Sequence, residues 1–481
     1  MIVDIEQQPN KQQLLISYVN NKKNISFYKI PLPDNQYYVW NYAGSEKTAH
    51  TQYKSWDNKF VKKVPSKKLN RFRLQELLLD IGETKLSALY ENNIPQSYAC
   101  DIETDILDDG FVDPNVANAP VNTISWVSYP DCFVFGRKGM SSQDVITIEN
   151  EINDYIKPLN IKYNFYYIQH TDEISMLKDF FYNYFAKAPM VTGWNLFGYD
   201  ITYLWKRAEL LGIDLKPLSP NNQWKRISYE DKVKGKTFLQ IPRHKVILDL
   251  MLTYKKWDMT VDVKENDTLD FVAETVLGLT KLKYKGTLKE LYVDNYKDYV
   301  KYNGIDSILV EQINNKIKTN EVCLSLANLT RVEVYDAFSP VAMFESTLAR
   351  YGYKEKKVFP QKYKDDVGQR DDYEGAFVYE PTPGLYPWTV SYDFASLYPS
   401  VMRQFGISIE NFVEKNKDRP LADDEIRLVS GAIFKRGDYL VPKILTDYYG
   451  QRKSAKKLSV QAEHEIAELK EILKGRKQNI L

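Results

Sequence analysis

Residues 98–104 read Tyr-Ala-Cys-Asp-Ile-Glu-Thr, a mostly apolar approach that ends in two carboxylates, Asp101 and Glu103. On a strand, positions two apart project from the same face. Two neighbouring anions repel and are costly to desolvate, and a hard divalent cation such as Mg²⁺ relieves both costs. A solvated acidic pair at a strand edge is the plain alternative. Two further stretches offer carboxylates. Met190–Thr192 reads as a buried strand that enters Gly193-Trp194-Asn195-Leu196-Phe197-Gly198-Tyr199-Asp200, and Asp200 then opens a helix over 201–211. An Asp in that place is often only a helix cap. In the helical stretch 299–310, Tyr302 and Asp306 are four apart and share a face, as an ordinary surface pair would. Brought together, the four carboxylates match a two-metal phosphodiester hydrolase. One cation activates a water, the other stabilises the leaving oxygen, and the two lie about 3.5–4 Å apart. Tyr302, one turn before Asp306, can orient that water.

The elements that must position these residues follow from periodicity. Thr123–Val127 and Cys132–Phe135 alternate like a meander behind the Asp101 strand, and Ile174–Phe185 has a broad apolar helical face. Val246–Asp249 reads as a buried strand and Thr268–Leu277 as an amphipathic helix. Residues 1–97 read as a mixed α/β domain, with strands at Gln13–Tyr18 and Asn24–Lys29 and a helix from Leu74. They carry no catalytic constellation.

Lys and Arg total 65 against 64 Asp and Glu, so any contact with nucleic acid must be local rather than a basic coat. A hydrophobic fraction of 43% is ample for several cores, and 36 tyrosines supply both core material and rings able to stack on unpaired bases. Cys100, Cys132 and Cys323 are scattered and odd in number, which points to a reducing compartment and away from a disulfide framework or zinc site. The N-terminus is not a signal peptide, and no apolar run approaches the ~18 residues of a membrane span. The expected location is the cytoplasm (of the host, if the protein is viral), with no membrane partner.

Asp101-Ile102-Glu103, Asn195-x-x-x-Tyr199-Asp200 and Tyr302-x-x-x-Asp306 resemble, in order and spacing, the three exonuclease motifs of the RNase H-like (DnaQ-like) 3′–5′ proofreading fold in family B DNA polymerases. Tyr199 stands where Phe is common. The resemblance implies that Asp101, Glu103, Asp200 and Asp306 are metal ligands and that Tyr302 positions the attacking water. Tyr373-Glu374-Gly375-Ala376-Phe377-Val378-Tyr379-Glu380-Pro381 resembles the family's linker motif, which implies DNA contact at Gly375 and Ala376. Val390-Ser391-Tyr392-Asp393-Phe394-Ala395-Ser396-Leu397-Tyr398-Pro399-Ser400 resembles polymerase motif A. Here a strand over Thr389–Tyr392 would deliver Asp393 to a second metal site, with the Phe394 carbonyl as a further ligand. The turn through Ser396 and Leu397 would cradle a triphosphate, and Tyr398 would exclude a 2′-hydroxyl. Gln451-Arg452-Lys453-Ser454-Ala455-Lys456-Lys457 resembles the start of the fingers helix, so Arg452 and Lys456 would bind nucleotide phosphates.

The expected fold class is therefore multi-domain α/β. It comprises an N-terminal α/β domain (1–97), an exonuclease domain (98–330) and a return segment packing on the N-terminal domain (331–370). A partial palm (371–445) and the first part of the helical fingers (446–481) follow. The strings that carry the family's second fingers helix, second palm carboxylate and thumb do not occur before Leu481. The expectation is the N-terminal portion of a split or truncated polymerase, closest to the tailed-bacteriophage branch. It would use Mg²⁺, with Mn²⁺ as a substitute. Its partners would be primer-template and single-stranded DNA, deoxynucleoside triphosphates and a C-terminal palm-and-thumb chain, with a sliding clamp as a further partner the resemblance allows. The alternatives weighed are a stand-alone single-strand 3′–5′ exonuclease with a vestigial palm and a non-catalytic DNA-binding scaffold.

Overall fold

The computed structural model describes residues 1–82, 87–91, 93–105, 112–231, 235–258, 266–360 and 378–478. It is multi-domain α/β and divides into two compact units, one of Met1–Asp34 with Ile81–Met343, the other of Asn35–Asp80 with Phe344–Leu481.

The first unit is built on a six-stranded sheet, in spatial order Asn164–Gln169, Asp131–Gly136, Val121–Ser128, Ser97–Thr104, Met190–Gly193 and Val246–Asp249. The middle three strands form the antiparallel meander expected from alternation, and the strands outside them pair parallel. Val121–Ser128 is buried along nearly its whole length, as a strand covered on both faces must be. The Ser97–Thr104 strand sorts its side chains by parity. Cys100 and Ile102 enter one core with Trp126, Phe180, Leu196 and Ile201, while Ala99 enters another with Val134, Ile305 and Ile308. Asp101 and Glu103 share the parity of Ala99, on the side of the Tyr296–Ile317 helix. Gly193 ends its strand where a Cβ would lie 2.6 Å from the Cys100 carbonyl oxygen and 2.7 Å from Leu196 Cδ1. Gly193→Ala is therefore expected to cost about 1–3 kcal/mol of stability, read as a lower urea midpoint.

The stretch 1–97 is divided between the units. Ile2–Gln8, Gln13–Val19 and Ile25–Pro31 form a meander whose Met1, Val3 and Val19 share a core with Met190, Val246 and Leu324. Residues 35–80 belong elsewhere. Tyr38–Tyr42 pairs with Val61–Pro65, Lys54–Ser55 pairs parallel with Lys357–Val358, and Trp40, Val61 and Val358 close one core. Two side-chain cores, rather than chain order, set this division.

One expectation for the second unit is corrected. No strand forms over Thr389–Tyr392: residues 389–396 are irregular and have no ladder partner among the described residues. A strand exists only through its neighbours' hydrogen bonds. The limit expected at 445/446 lies within one continuous helix, Leu440–Gln478, against which the helix Leu397–Gln404 packs. Its start is fixed by packing, since Leu440, Val441 and Ile444 close a core with Leu348 and Phe359. No helix among the described residues is long and apolar enough to cross a membrane.

Candidate metal and exonuclease centre

Asp101, Glu103 and Asp306 each bring one carboxylate oxygen within 4.8 Å of the other two. The first pair comes from strand parity. Asp306 comes from the Tyr296–Ile317 helix, whose docking is set by small and polar residues. Ser307 Oγ lies 2.6 Å from the hydroxyl of Ser125, the cross-strand partner of Asp101. At Gly304 a Cβ would lie 3.3 Å from Cys132 Sγ and 3.4 Å from Val134 Cγ2, so the missing side chain brings the helix close to the sheet. Asn303 Nδ2 donates to Asp101 Oδ2 at 2.7 Å.

Asp200 is the first residue of the Asp200–Leu210 helix and is buried. It does not cap its own helix with its side chain. Its Oδ1 instead accepts the backbone N–H of Ile102, the residue between Asp101 and Glu103, at 3.0 Å. Asp200 thus lies against the same strand, one contact away from the three converging oxygens. The loop before it is pinned by buried Asp249, which accepts from Phe197 N at 3.0 Å and Met251 N at 3.0 Å.

Negative charge is in excess here. Burial, then the charge of Asp306, pushes the Asp101 carboxyl up to about 7. Burial, then Asp101, holds Glu103 and Asp200 well above the carboxylate range. Asp306 is raised by burial although Lys281 opposes the shift. The Lys281 ammonium lies 2.5 Å from Asp306 Oδ2 and donates to Tyr302 Oη at 3.0 Å. Burial disfavours its charge, but Asp306, Tyr302 and Asp101 together keep it protonated. One ammonium cannot neutralise four carboxylates. Asp306 Oδ1 is buried with no hydrogen-bond partner among the described residues. A hard, all-oxygen donor set with uncompensated charge and an orphaned oxygen fits divalent cations.

Cation binding and proton binding must then compete. Asp101 takes up a proton as pH falls through about 7 in the cation-free protein. Cation affinity is therefore expected to rise with pH through that value, and binding near pH 6 to release protons. Calorimetry in buffers of different ionisation enthalpy counts them; zero release at pH 6 would contradict this electrostatic account.

The residues singled out in the second unit lie on its surface. Asp393, Phe394 and Tyr398 are exposed, and Ser396, in a left-handed conformation (φ 54°), precedes the helix Leu397–Gln404. Leu397 opens that helix, and Ser400 N closes the turn onto Ser396 O at 2.9 Å. Arg452 and Lys456 are exposed on the long helix. Gly375 and Ala376 lie outside the described residues.

Residues 60–261 match the family model for the exonuclease domain of DNA polymerase family B, and residues 341–480 match that for DNA polymerase family B. The chain belongs to the family B DNA polymerases. It is 28% identical over 390 residues to the DNA-directed DNA polymerase of Escherichia phage RB69, covering 76% of this chain and 42% of that protein. To the DNA-directed DNA polymerase of Enterobacteria phage T4 it is 26% identical over 432 residues, covering 84% and 46%. To DNA polymerase II of Escherichia coli strain K12 it is 22% identical over 358 residues, covering 69% and 42%. The chain spans less than half the length of these relatives.

The exonuclease match includes Asp101, Glu103 and Asp200 and stops before Tyr302 and Asp306; the Asp306 carboxylate converges with those of Asp101 and Glu103. Two residues at this centre escaped the sequence reading. Lys281 sits in Lys281-Leu282-Lys283-Tyr284-Lys285, where three alternating lysines read as solvated surface. Asn303 follows Tyr302 directly, and its signal is a third polar residue beside Asp306 and Ser307 on one face of a largely apolar helix.

Proposed function

We propose that the chain is the N-terminal portion of a replicative family B DNA-directed DNA polymerase. Its 3′–5′ proofreading exonuclease would occupy an RNase H-like (DnaQ-like) domain over 98–330. Half of the polymerase active site would lie on the palm and fingers portions, with a C-terminal partner chain supplying the rest. The observation that carries the reading is the convergence of Asp101, Glu103 and Asp306, with Asp200 bound to the same strand and Lys281 seated on Asp306.

Asp101, Glu103, Asp200 and Asp306 would hold two divalent cations, Mg²⁺ or Mn²⁺, which supply an activated water and neutralise the leaving oxygen. The chain's own groups do the rest. Lys281 fixes the Tyr302 hydroxyl at 3.0 Å, so the phenol is held to orient a water rather than turning freely. The Lys281 ammonium adds a fixed positive charge where a phosphodiester's charge develops. On the polymerase side, Asp393 and the Phe394 carbonyl are the proposed metal ligands. Ser396, Leu397, Arg452 and Lys456 are the proposed triphosphate contacts, Tyr398 the proposed sugar gate, and Gly375 and Ala376 the proposed DNA contacts. Arg452 and Lys456 are four apart on one helix and face one way. Residues 389–394, exposed and without a strand partner among the described residues, support the need for a partner, and the retention of Asp393 and Tyr398 favours this reading over a vestigial palm. Single-stranded and primer-template DNA and deoxynucleoside triphosphates are the proposed substrates, in the cytoplasm of a host cell.

The test is a 5′-labelled single-stranded oligonucleotide incubated with the chain and Mg²⁺. A ladder shortening one nucleotide at a time from the 3′ end is expected. An undigested substrate would overturn the exonuclease assignment.

A further inference from the structure

We propose that Asn303 is a positioning residue for the metal centre. It locks the Asp101 carboxylate in one orientation, so that one oxygen is spent on the protein and the other is presented to a cation. This rests on the exonuclease reading above.

Asn303 is completely buried in the helix that carries Asp306. A buried amide costs free energy unless its groups are hydrogen-bonded. Only half of this one is. Nδ2 donates to Asp101 Oδ2 at 2.7 Å, while Oδ1 has no partner among the described residues. The reverse flip would set the amide oxygen against a carboxylate oxygen, so charge fixes the orientation. An aliphatic side chain of similar volume would fill the site without the orphaned oxygen. The residue is thus poor as core packing and well suited to gripping Asp101. A carboxylate turns about its last bond over a broad, shallow well, and a single short hydrogen bond to one oxygen narrows it. The contact depends on the height of the helix above the sheet, set by Gly304 against Cys132 and Val134 and by Ser307 bonded to Ser125. Asn303, Gly304 and Ser307 thereby couple the Asp306 helix to the Asp101 strand. Partners that orient metal ligands in this way typically change metal affinity 10–100-fold.

The test is direct Mn²⁺ binding to the whole chain without DNA, followed by the electron paramagnetic resonance of the free ion. Asn303→Ala and Asn303→Leu are compared with the parent and with Asp101→Ala, each checked for folding by thermal melting. Both Asn303 variants are expected to bind Mn²⁺ about 10-fold or more weakly. Their single-strand hydrolysis should need more Mg²⁺ to half-saturate, yet approach the parental rate at saturating Mg²⁺. Asn303→Leu separates the roles, because it restores volume and withholds the donor; parental Mn²⁺ affinity in this variant would overturn the inference. If Asn303→Ala does not fold, Asn303→Leu still decides. If the parent binds no Mn²⁺, or Asp101→Ala binds it as the parent does, the exonuclease reading itself falls, and this inference with it.

Discussion

Replacing Asp101 and Glu103 together by alanine is expected to reduce 3′-end hydrolysis of single-stranded DNA by roughly 10³-fold or more. Metal-supplied stabilisation of several kcal/mol corresponds to a factor of that size. Two of the three converging oxygens would be gone, leaving Asp306 to Lys281 alone. The fold is expected to survive, because these carboxylates oppose it. A carboxyl raised in the folded state contributes stability below its unfolded pKa, and that contribution is lost as pH rises through the folded value. For Asp101 the window runs from 3.8 to about 7. In chelator, the double variant should therefore gain stability relative to the parent as pH is raised from about 4 to 7, by an amount on the order of a few kcal/mol. Urea titrations at both pH values measure it. A variant that digests DNA at the parental rate would remove the metal-site assignment. A variant that is inactive because it is unfolded at pH 7 would contradict the electrostatic account.

The two halves of the chain differ in what their residues make legible. In the exonuclease unit, local pattern and global structure agree. The parity of Asp101 and Glu103, the strand before Gly193 and the four-residue step from Tyr302 to Asp306 are each short-range facts, and the sheet preserves them. What pattern could not supply is which solvent-like residues turn inward. Lys281 looks like its neighbours Lys283 and Lys285 until Asp306 is placed beside it. Asp200 looked like a helix cap, and its carboxylate instead reaches the N–H of Ile102, 98 residues earlier in the chain. The division of residues 1–97 between two compact units is illegible in the sequence for another reason. Trp40 and Val61 find their core partner in Val358, some 300 residues on, and no local signal encodes that closure. The strand expected at Thr389–Tyr392 has the right composition, but strand-forming residues adopt a strand only when an edge is offered to them.

The chain alone is expected to extend no primer, and to do so once combined with a C-terminal chain carrying the rest of the palm and a thumb. Two-metal nucleotidyl transfer needs carboxylates on both sides of the metal pair, whereas Asp393 stands exposed on irregular backbone. Its surroundings show what is unmet. Tyr386, Trp388, Val390, Tyr392 and Phe394 are 62%, 98%, 69%, 92% and 75% exposed. Five large apolar side chains in nine residues, all open to water, mark an interaction surface rather than a finished one. Their alternate spacing would let a partner strand pair with 389–392, giving main-chain hydrogen bonds along the edge and burying one row of side chains. The two activities should then separate cleanly. Val390→Asp with Trp388→Asp is expected to abolish co-purification with the partner chain and primer extension, while single-strand digestion by the Asp101 centre continues at its parental rate. Amide exchange over 389–394 should slow on mixing, as the strand forms. Primer extension by the purified chain without any partner would refute the proposal, and so would a double Asp variant that still assembles and polymerises.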